Sequence, residues 1–288
     1  MPASVTQTLV KIENDSIEAS GLLTNKILDL SSLSSFLGTF PLVDENIYSI
    51  LFERHSDLMQ TQKKRFAVAN LEKILTATFN ISSLSGFEKM SLRDLSKQAG
   101  MSMGAIYSCI TKKEDIAYMI ADIVKLSSEL TEYHALSDGM SAWDQVTVSI
   151  KSHLYASSVL QVWYFFLYFE TRSLPDQQQT ESKQLELDVI NGFESILRKG
   201  IENEEFRAVN SQTIANMIVV MLQDWYLKPW KNYTTSRSRG VLTMDVLKTG
   251  SVIANPIHSK EYTIEQREND INIYYHSLTS MLEKILIN

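Results

Sequence analysis

The sequence has little cysteine, proline and glycine, and each shortage excludes a class of protein. Its 288 residues include one cysteine, Cys109, five prolines and ten glycines. One cysteine cannot form an internal disulfide framework, which favours a reducing compartment. Few prolines and glycines argue against a turn-rich all-β fold and favour long helices. We therefore expect an intracellular protein built mostly from helices.

Long apolar runs are missing as well. The longest, residues 159–169, is interrupted by Gln161 and is too short to cross a bilayer. The chain does not begin with basic residues followed by an apolar core, so we expect no secretory signal, no membrane partner and a cytoplasmic location. The hydrophobic content of 44% is still enough for a sizeable core. The length corresponds to about two domains.

Charge is distributed unevenly along the chain. The formal net charge is −7, but residues 61–115 contain nine lysines and arginines and five acids. This window therefore carries +4 and the rest of the chain −11. A surface that is basic throughout, as in a histone-like protein, is excluded. The distribution indicates a small basic module attached to a larger acidic body.

The sharpest helix start and stop signals lie in the basic module. Helical periodicity predicts a first helix over residues 66–83. Ser91 and Asp94 form a predicted capping box that opens a short second helix, and Gly100 ends that helix. These signals indicate short, well-defined helices.

A third helix is predicted immediately afterwards. Ser102 is expected to cap a helix over residues 103–109. The turn of about three residues between the second and third helices is the spacing of a helix-turn-helix. Thr111 and Glu114 form another predicted capping box, which opens a long fourth helix.

The remaining chain divides into an N-terminal extension and a helical C-terminal body. In the extension, residues 1–60, Asp44 is expected to cap a helix, while residues 1–43 are expected to be weakly ordered or lightly docked. The body, residues 119–288, is expected to contain further helices, a long loop over residues 230–261 and a capped last helix. Three roles are open for the extension: covering the dimer, contacting DNA beside the main site, or binding a partner.

Residues 74–116 resemble the DNA-binding domain of the TetR (tetracycline-repressor-like) family of transcriptional regulators. The matching positions are Ile74, Ala77, Gly86, Phe87, Ser91, Leu95, Ala99, Gly100, Ser102, Gly104, Ile106, Tyr107, Lys113 and Glu114. The rest of the chain follows the family only in helix order. The resemblance implies an all-α fold, with an N-terminal three-helix helix-turn-helix DNA-binding domain over residues 61–118. A C-terminal helical ligand-binding and dimerisation domain would cover residues 119–288.

Nine residues are expected to contact DNA. Gly104 has no side chain, so the third helix can approach the DNA backbone closely, and the helix N-termini at Ser91 and Ser102 favour phosphate. By resemblance, the Tyr107 hydroxyl points at a phosphate and Lys113 is a second backbone anchor. The complete set is Ser91, Arg93, Ser102, Met103, Gly104, Ala105, Tyr107, Lys112 and Lys113.

The C-terminal body supplies the expected ligand and dimer contacts. The aromatic run over residues 163–169 is interpreted first as core or dimer packing, with an effector cavity as the alternative. The candidate ligand contacts are Tyr155, Trp163, Phe166, Met217 and Met221. By resemblance the last two long helices form a four-helix bundle across a dimer axis, through Ile214, Ile218, Leu222, Trp225, Ile271, Tyr275, Leu278 and Leu282.

These observations lead to one main functional hypothesis and one alternative. The first is a ligand-responsive repressor that binds a palindromic site on double-stranded DNA as a homodimer and is released by a small apolar effector. The alternative is a helical protein-interaction module that retains the helix-turn-helix shape, because the third helix contains no Arg, Lys, Asn or Gln. An enzyme is disfavoured, and neither a cofactor nor a metal is expected, since the histidines are scattered.

Overall fold

The computed structural model describes residues 28–61, 63–135, 139–228 and 263–287. Within these ranges the chain is all-α, as predicted, and contains no β-strand. The helices are α1 (Leu33–Thr39), α2 (Asp44–His55), α3 (Lys64–Ser85), α4 (Leu92–Ala99), α5 (Met103–Tyr107), α6 (Glu114–Ala135), α7 (Ala142–Val159), α8 (Gln161–Glu170), α9 (Asp176–Glu202), α10 (Ser211–Leu227) and α11 (Ile264–Leu286). None of the helices in these ranges is long and apolar enough to cross a membrane.

Local hydrogen bonds form the predicted helix-turn-helix between α4 and α5. The Ser91 hydroxyl accepts from the Asp94 N–H at 3.2 Å, and the Asp94 carboxylate accepts from the Ser91 N–H at 3.1 Å, which confirms the capping box. Gly100 ends α4 in the left-handed conformation with φ of 62°. The Ser102 hydroxyl accepts from the Ala105 N–H at 3.2 Å and caps α5. Helix α5 ends at Tyr107, two residues earlier than predicted.

The start of α6 differs from the predicted capping box. Asp115, rather than Glu114, accepts from the Thr111 N–H at 2.8 Å, the Thr111 hydroxyl at 2.7 Å and the Lys112 N–H at 3.0 Å. Burial alone would raise the pKa of the Asp115 carboxyl, but these hydrogen bonds outweigh it and the pKa is lowered. The predicted capping box of Thr111 and Glu114 is wrong because the Asp115 carboxylate, one residue later, accepts from the free N–H groups at the start of the helix.

The N-terminal extension is packed into the core where the structure describes it. Leu33 and Phe36 are completely buried, and the Phe36 ring contacts Phe40 at 4.7 Å and Tyr155 of α7 at 5.4 Å between centroids. Helix α1 lies against α11. The prediction of weak order is therefore wrong for residues 28–43, because their short apolar clusters cover the C-terminal body.

Residues 28–61, which we call the N-terminal arm, continue along the molecule to the helix-turn-helix. Helix α2 begins at Asp44, so Asp44 is its first residue and not its cap as predicted. At the other end of α2, Arg54 Nε and Nη2 donate to the two Asp122 carboxylate oxygens of α6, each at 2.6 Å. Further along, the N–H groups of residues 60 and 61 donate to the Ser108 carbonyl at 3.0 and 3.2 Å. The arm thus joins the body to the residue that follows α5.

The C-terminal body is formed by α6 to α11 with α7 in the centre. Helix α7 packs against α6, α9, α10 and α11, and α9 lies along α10. The Ser141 hydroxyl caps α7, and the capping box of Thr263 and Gln266 at the start of α11 confirms the predicted capped last helix. Residues 1–27 and the loop predicted over residues 230–261 lie outside the described ranges.

Candidate nucleic-acid interface and cavity

The surface around α4, α5 and the start of α6 contains the nine residues predicted to contact DNA. Six of the nine are exposed, and the other three, Met103, Ala105 and Lys113, are half-buried. The exposed residues are Ser91, Arg93, Ser102, Gly104, Tyr107 and Lys112. The set combines cations, two helix-capping hydroxyls, a phenol and a glycine. Such a surface can donate hydrogen bonds to phosphate oxygens, which position a protein on DNA.

Gly104 is a glycine that the fold itself does not require. It lies within α5 without a positive φ, and a Cβ placed on it would meet only the Ser102 hydroxyl, at 3.9 Å. Gly104 is the second residue of α5, and glycine lowers helix stability relative to alanine, by about 1 kcal/mol at most. Because no neighbouring atom of the described residues excludes a side chain here, the missing side chain leaves room for something outside the chain.

Lys113 has partners within the chain. Its Nζ donates to the carbonyl oxygens of Glu88 at 2.7 Å and of Phe87 and Met90 at 3.3 Å each. The ammonium group also lies 5.3 Å from the centre of the Phe87 ring. Lys113 therefore holds the turn before α4 in this conformation, and the adjacent Lys112 is the more exposed cation.

Residues 100–104 read Gly-Met-Ser-Met-Gly, which matches the Gly-x-Ser-x-Gly pattern of hydrolase nucleophile elbows. That motif requires a strand before the serine, but here Ser102 lies between two helices and its hydroxyl caps α5. The pattern is therefore the turn of a helix-turn-helix.

Cys109, predicted to lie on the third helix, follows α5 and is completely buried, and burial raises the pKa of its thiol.

Aromatic packing joins the helix-turn-helix to the C-terminal body. Phe79 of α3 contacts Trp163 and Phe166 of α8 at 5.2 and 5.8 Å between ring centres, and Phe87 contacts Phe166 at 5.2 Å. The Phe87 N–H also donates to a carboxylate oxygen of Glu170, the last residue of α8, at 3.1 Å. One face of α8 is thus fixed to the helix-turn-helix module.

The opposite side of α8 borders a cavity of about 160 Å³ among α6, α7, α8, α9 and α10. Tyr164 and Leu167 of α8 line it, together with His153 of α7 and Ser182 of α9. A smaller cavity of about 50 Å³, also lined by His153, continues between α6, α7 and α9. The deep walls are buried, and the exposed lining residues on α8 and α9 mark the opening.

None of the five predicted ligand contacts lines this cavity. Tyr155 packs against Phe36 of the arm, and Trp163 and Phe166 face α3. Met217 is 45% exposed on the outside of α10, and Met221 is half-buried. The first interpretation of the aromatic run, as packing, describes Trp163 and Phe166. The cavity at His153 and Ser182 could not be predicted from the sequence, because five separate helices form it.

The predicted dimer contacts lie mostly inside a single chain. Ile214, Ile218, Leu222, Trp225, Ile271, Leu278 and Leu282 are all buried in its core, and Tyr275 is half-buried. The most apolar face of each helix therefore packs on its own body. The outer faces of α10 and α11 expose other apolar residues, namely Met217 at 45%, Val220 at 61% and Ile273 at 49%.

Among the described residues, no group of three or more His, Cys, Asp or Glu side chains could hold a metal ion. His153 lies in the cavity wall, and His55 hydrogen bonds to Asp122 at 2.9 Å. Neither histidine therefore belongs to a ligand cluster.

Comparison with solved structures identifies the fold. A regulatory protein of the TetR family from Rhodococcus RHA1 matches with a TM-score of 0.51 and 16% identity, covering 62% of this chain and 94% of that one. The fold is therefore that of TetR-family regulators, which confirms at the level of fold the resemblance seen in residues 74–116.

Two weaker similarities are to PfmR, a TetR family transcriptional regulator from Thermus thermophilus, and to FadR from Bacillus subtilis, solved in complex with stearoyl-CoA. PfmR has a TM-score of 0.49 and 19% identity, covering 60% of this chain and 92% of PfmR. FadR has a TM-score of 0.46 and 15% identity, covering 71% and 97%. No family model and no curated protein sequence matches the chain.

Proposed function

We propose that this chain is a DNA-binding transcriptional regulator of the TetR type, acting as a homodimer that a small molecule releases from its operator. The observation that carries the proposal is the exposed helix-turn-helix with Gly104 on its second helix. Gly104 lowers helix stability, and no close contact within the described residues requires a glycine at this position. A close approach of α5 to the DNA backbone would explain why the side chain is missing.

Charge supports the same assignment. The module over residues 61–115 has a net charge of +4 within a chain of −7. Arg93 and Lys112 lie beside α5, so they can neutralise phosphates. The acidic remainder of the chain is repelled by DNA, which leaves the module as the binding surface.

Dimerisation would supply the two-fold symmetry that a palindromic operator needs. The exposed apolar side chains of Met217, Val220 and Ile273 make the outer faces of α10 and α11 the candidate interface. Two copies joined there would present two α5 helices to DNA.

Helix α8 is the element through which a bound molecule would act. Tyr164 and Leu167 face the cavity, while Trp163, Phe166 and Glu170 contact the module. A molecule that fits the cavity better when α8 is displaced would move the module and change the spacing of the two α5 helices. This would release the operator and relieve repression.

The experiment that tests the DNA-binding step is fluorescence anisotropy with DNA from upstream of the chain's own gene. We expect saturable binding that weakens strongly between about 50 and 200 mM salt. The matched variants are Gly104→Gln and Gly38→Gln, since both glycines are helical residues with open space around them.

Gly104→Gln should weaken DNA binding by at least about tenfold without lowering the free energy of unfolding, because glutamine is a better helix former than glycine. Gly38→Gln lies on α1, away from the helix-turn-helix, and should leave DNA binding unchanged. Equal DNA affinity of all three proteins would contradict the proposed docking. A folded chain without salt-dependent DNA binding would favour the protein-interaction module instead.

A further inference from the structure

We propose that the cavity binds a small, uncharged and mostly apolar molecule with one polar oxygen, which hydrogen bonds to His153 and Ser182. The inference rests on the effector site of the proposed function and names the chemistry of the effector. Three features of the cavity support it: its unpaired polar atoms, its charges and its size.

Two buried polar atoms in the cavity wall have no partner. Within the described residues, His153 Nε2 and Ser182 Oγ form no hydrogen bond, although their residues are only 9% and 8% exposed. Both residues line the larger cavity, from α7 and α9. Buried polar groups are nearly always hydrogen-bonded, and leaving one unpaired lowers stability. A ligand oxygen would supply the missing partner.

The deep part of the cavity carries no positive charge. Burial lowers the pKa of His153 to about 4, so the imidazole is neutral near pH 7. The one lysine or arginine among the described lining residues is Lys183, which is exposed at the opening. An ionised carboxylate or phosphate placed beside His153 would therefore be desolvated without a counter-charge, which is unfavourable.

Hydroxyl and imidazole groups suit a neutral oxygen instead. The Ser182 hydroxyl can donate to a carbonyl oxygen, and neutral His153 can present either a donor or an acceptor at Nε2. A ketone, an ester, an amide or a phenol would therefore satisfy the pair. A pure hydrocarbon would leave both atoms unpaired.

The cavity size limits the ligand. Its volume of about 160 Å³ is close to that of an engineered cavity of about 150 Å³ that binds benzene. The walls are largely apolar and aromatic, with Val124, Leu167, Val189 and Val219 beside the rings of Tyr164 and Tyr226. A single ring or a short chain with one polar group fits this space.

The test uses three probes of equal heavy-atom number, acetophenone, its hydrocarbon analogue cumene, and benzoate. Their binding to the full chain without DNA is measured by isothermal titration calorimetry near pH 7. Acetophenone should bind about fivefold more tightly than cumene, because one hydrogen bond is added to the same apolar contact. Benzoate should bind more weakly than acetophenone.

Ser182→Ala should remove most of the preference for acetophenone while leaving cumene affinity unchanged. It should also raise the melting temperature of the ligand-free chain, because an unpaired buried hydroxyl is removed. Ser128→Ala is the matched control, since Ser128 lines both cavities but its hydroxyl already donates to the Val124 carbonyl at 3.2 Å. This control should keep the wild-type preference. His153→Phe should also lose the preference for acetophenone, because a phenylalanine ring can still pack on Tyr164 but cannot hydrogen bond to the probe.

Three results would overturn the proposal: no binding of any probe at millimolar concentration, equal affinity for acetophenone and cumene, or tighter binding of benzoate. The last would point to a charged head group held at Lys183. The calorimetry contains no DNA and the DNA-binding experiment contains no probe. A negative result in one therefore does not depend on the other, and the two proposals can be contradicted separately.

Discussion

The pKa values of His153 and Asp122 are both lowered, but the physical causes differ. His153 lies against the Tyr164 and Tyr226 rings, and burial lowers its pKa to about 4. Burial would raise the pKa of Asp122, but hydrogen bonds from Arg54 and His55 reverse the effect and hold it well below its usual value. The two residues therefore affect stability in different pH ranges.

Lowering the pH from about 7 to 4 should destabilise the chain through His153. Between pH 6.5 and 4 the unfolded state binds a proton on this histidine that the folded state does not, so stability falls as pH falls. The loss is about 3 kcal/mol at most. Urea denaturation at several pH values would measure it, with His153→Phe expected to flatten the slope.

The control for this experiment is His276→Phe, because His276 is exposed. It should leave the slope between pH 6.5 and 4 unchanged. The contribution of Asp122 should disappear only below about pH 4, because its folded-state pKa is lowered from 3.8. A wild-type slope retained in His153→Phe would contradict the assignment.

Lys112 and Lys113 are adjacent but should behave differently when replaced by alanine. Lys112→Ala should weaken binding to all DNA sequences alike and reduce the salt slope by about 1.8, for two phosphate contacts per dimer. Lys113→Ala should chiefly lower the free energy of unfolding, because its Nζ binds three carbonyl groups of the turn before α4. Salt titrations and urea denaturation of both variants would distinguish them. A reversed pattern would show that Lys113 turns outward on DNA.

At the scale of elements, the N-terminal arm is a second connection between the body and the helix-turn-helix, in addition to α6 itself. Its apolar residues cover Tyr155 of α7 and part of α11, Arg54 binds Asp122 of α6, and its last N–H groups bind the Ser108 carbonyl. The arm is therefore part of the folded core, and removing it would expose apolar surface on the body.

Asp122→Asn should lower the free energy of unfolding by about 2–3 kcal/mol, because it leaves the partly buried Arg54 guanidinium without its counter-charge. Hydrogen exchange of the residue 60 and 61 amides should accelerate if the arm loosens toward Ser108. The comparison is Arg198→Ala, an exposed pair with Glu194 at 4.0 Å, which should cost no more than about 0.5 kcal/mol. Similar losses in the two variants would show that the arm contact contributes little.

At the scale of the whole molecule, α10 and α11 both bury an apolar face and expose a few apolar residues on the outside. The inner faces complete the core of one chain, and the outer faces expose Met217, Val220 and Ile273. Only the outer faces are available to a second copy. A truncated body without the arm is unsuitable for testing this interface, since it would also expose the surface that the arm covers.

Val220→Glu in the full chain should convert the dimer to a monomer in sedimentation velocity experiments at micromolar concentration. The charge would be buried without a partner at the two-fold axis, and the same variant should lose affinity for a palindromic site. Leu187→Glu, which changes another exposed apolar residue, on α9, should remain dimeric. A monomeric wild-type chain, or a dimeric Val220→Glu, would exclude this interface.

The sequence by itself determined the local features of the fold. The capping box at Ser91 and Asp94, the left-handed Gly100 and the cap at Ser102 all depend on hydrogen bonds or backbone angles within a few residues. Short-range chemistry of this kind can be read without knowing the rest of the molecule. The helix-turn-helix was therefore predictable with its turn in the correct place.

Only the tertiary structure decided which side of each helix faces the core and where space remains. The inward packing of Ile218 and Leu222, the carbonyl partners of Lys113 and the cavity at His153 depend on contacts between residues far apart in the chain. Apolar periodicity identifies a buried face but does not state whether its own chain or a second copy covers it. For that reason the helices could be predicted from the sequence, whereas the cavity and the dimer face could not.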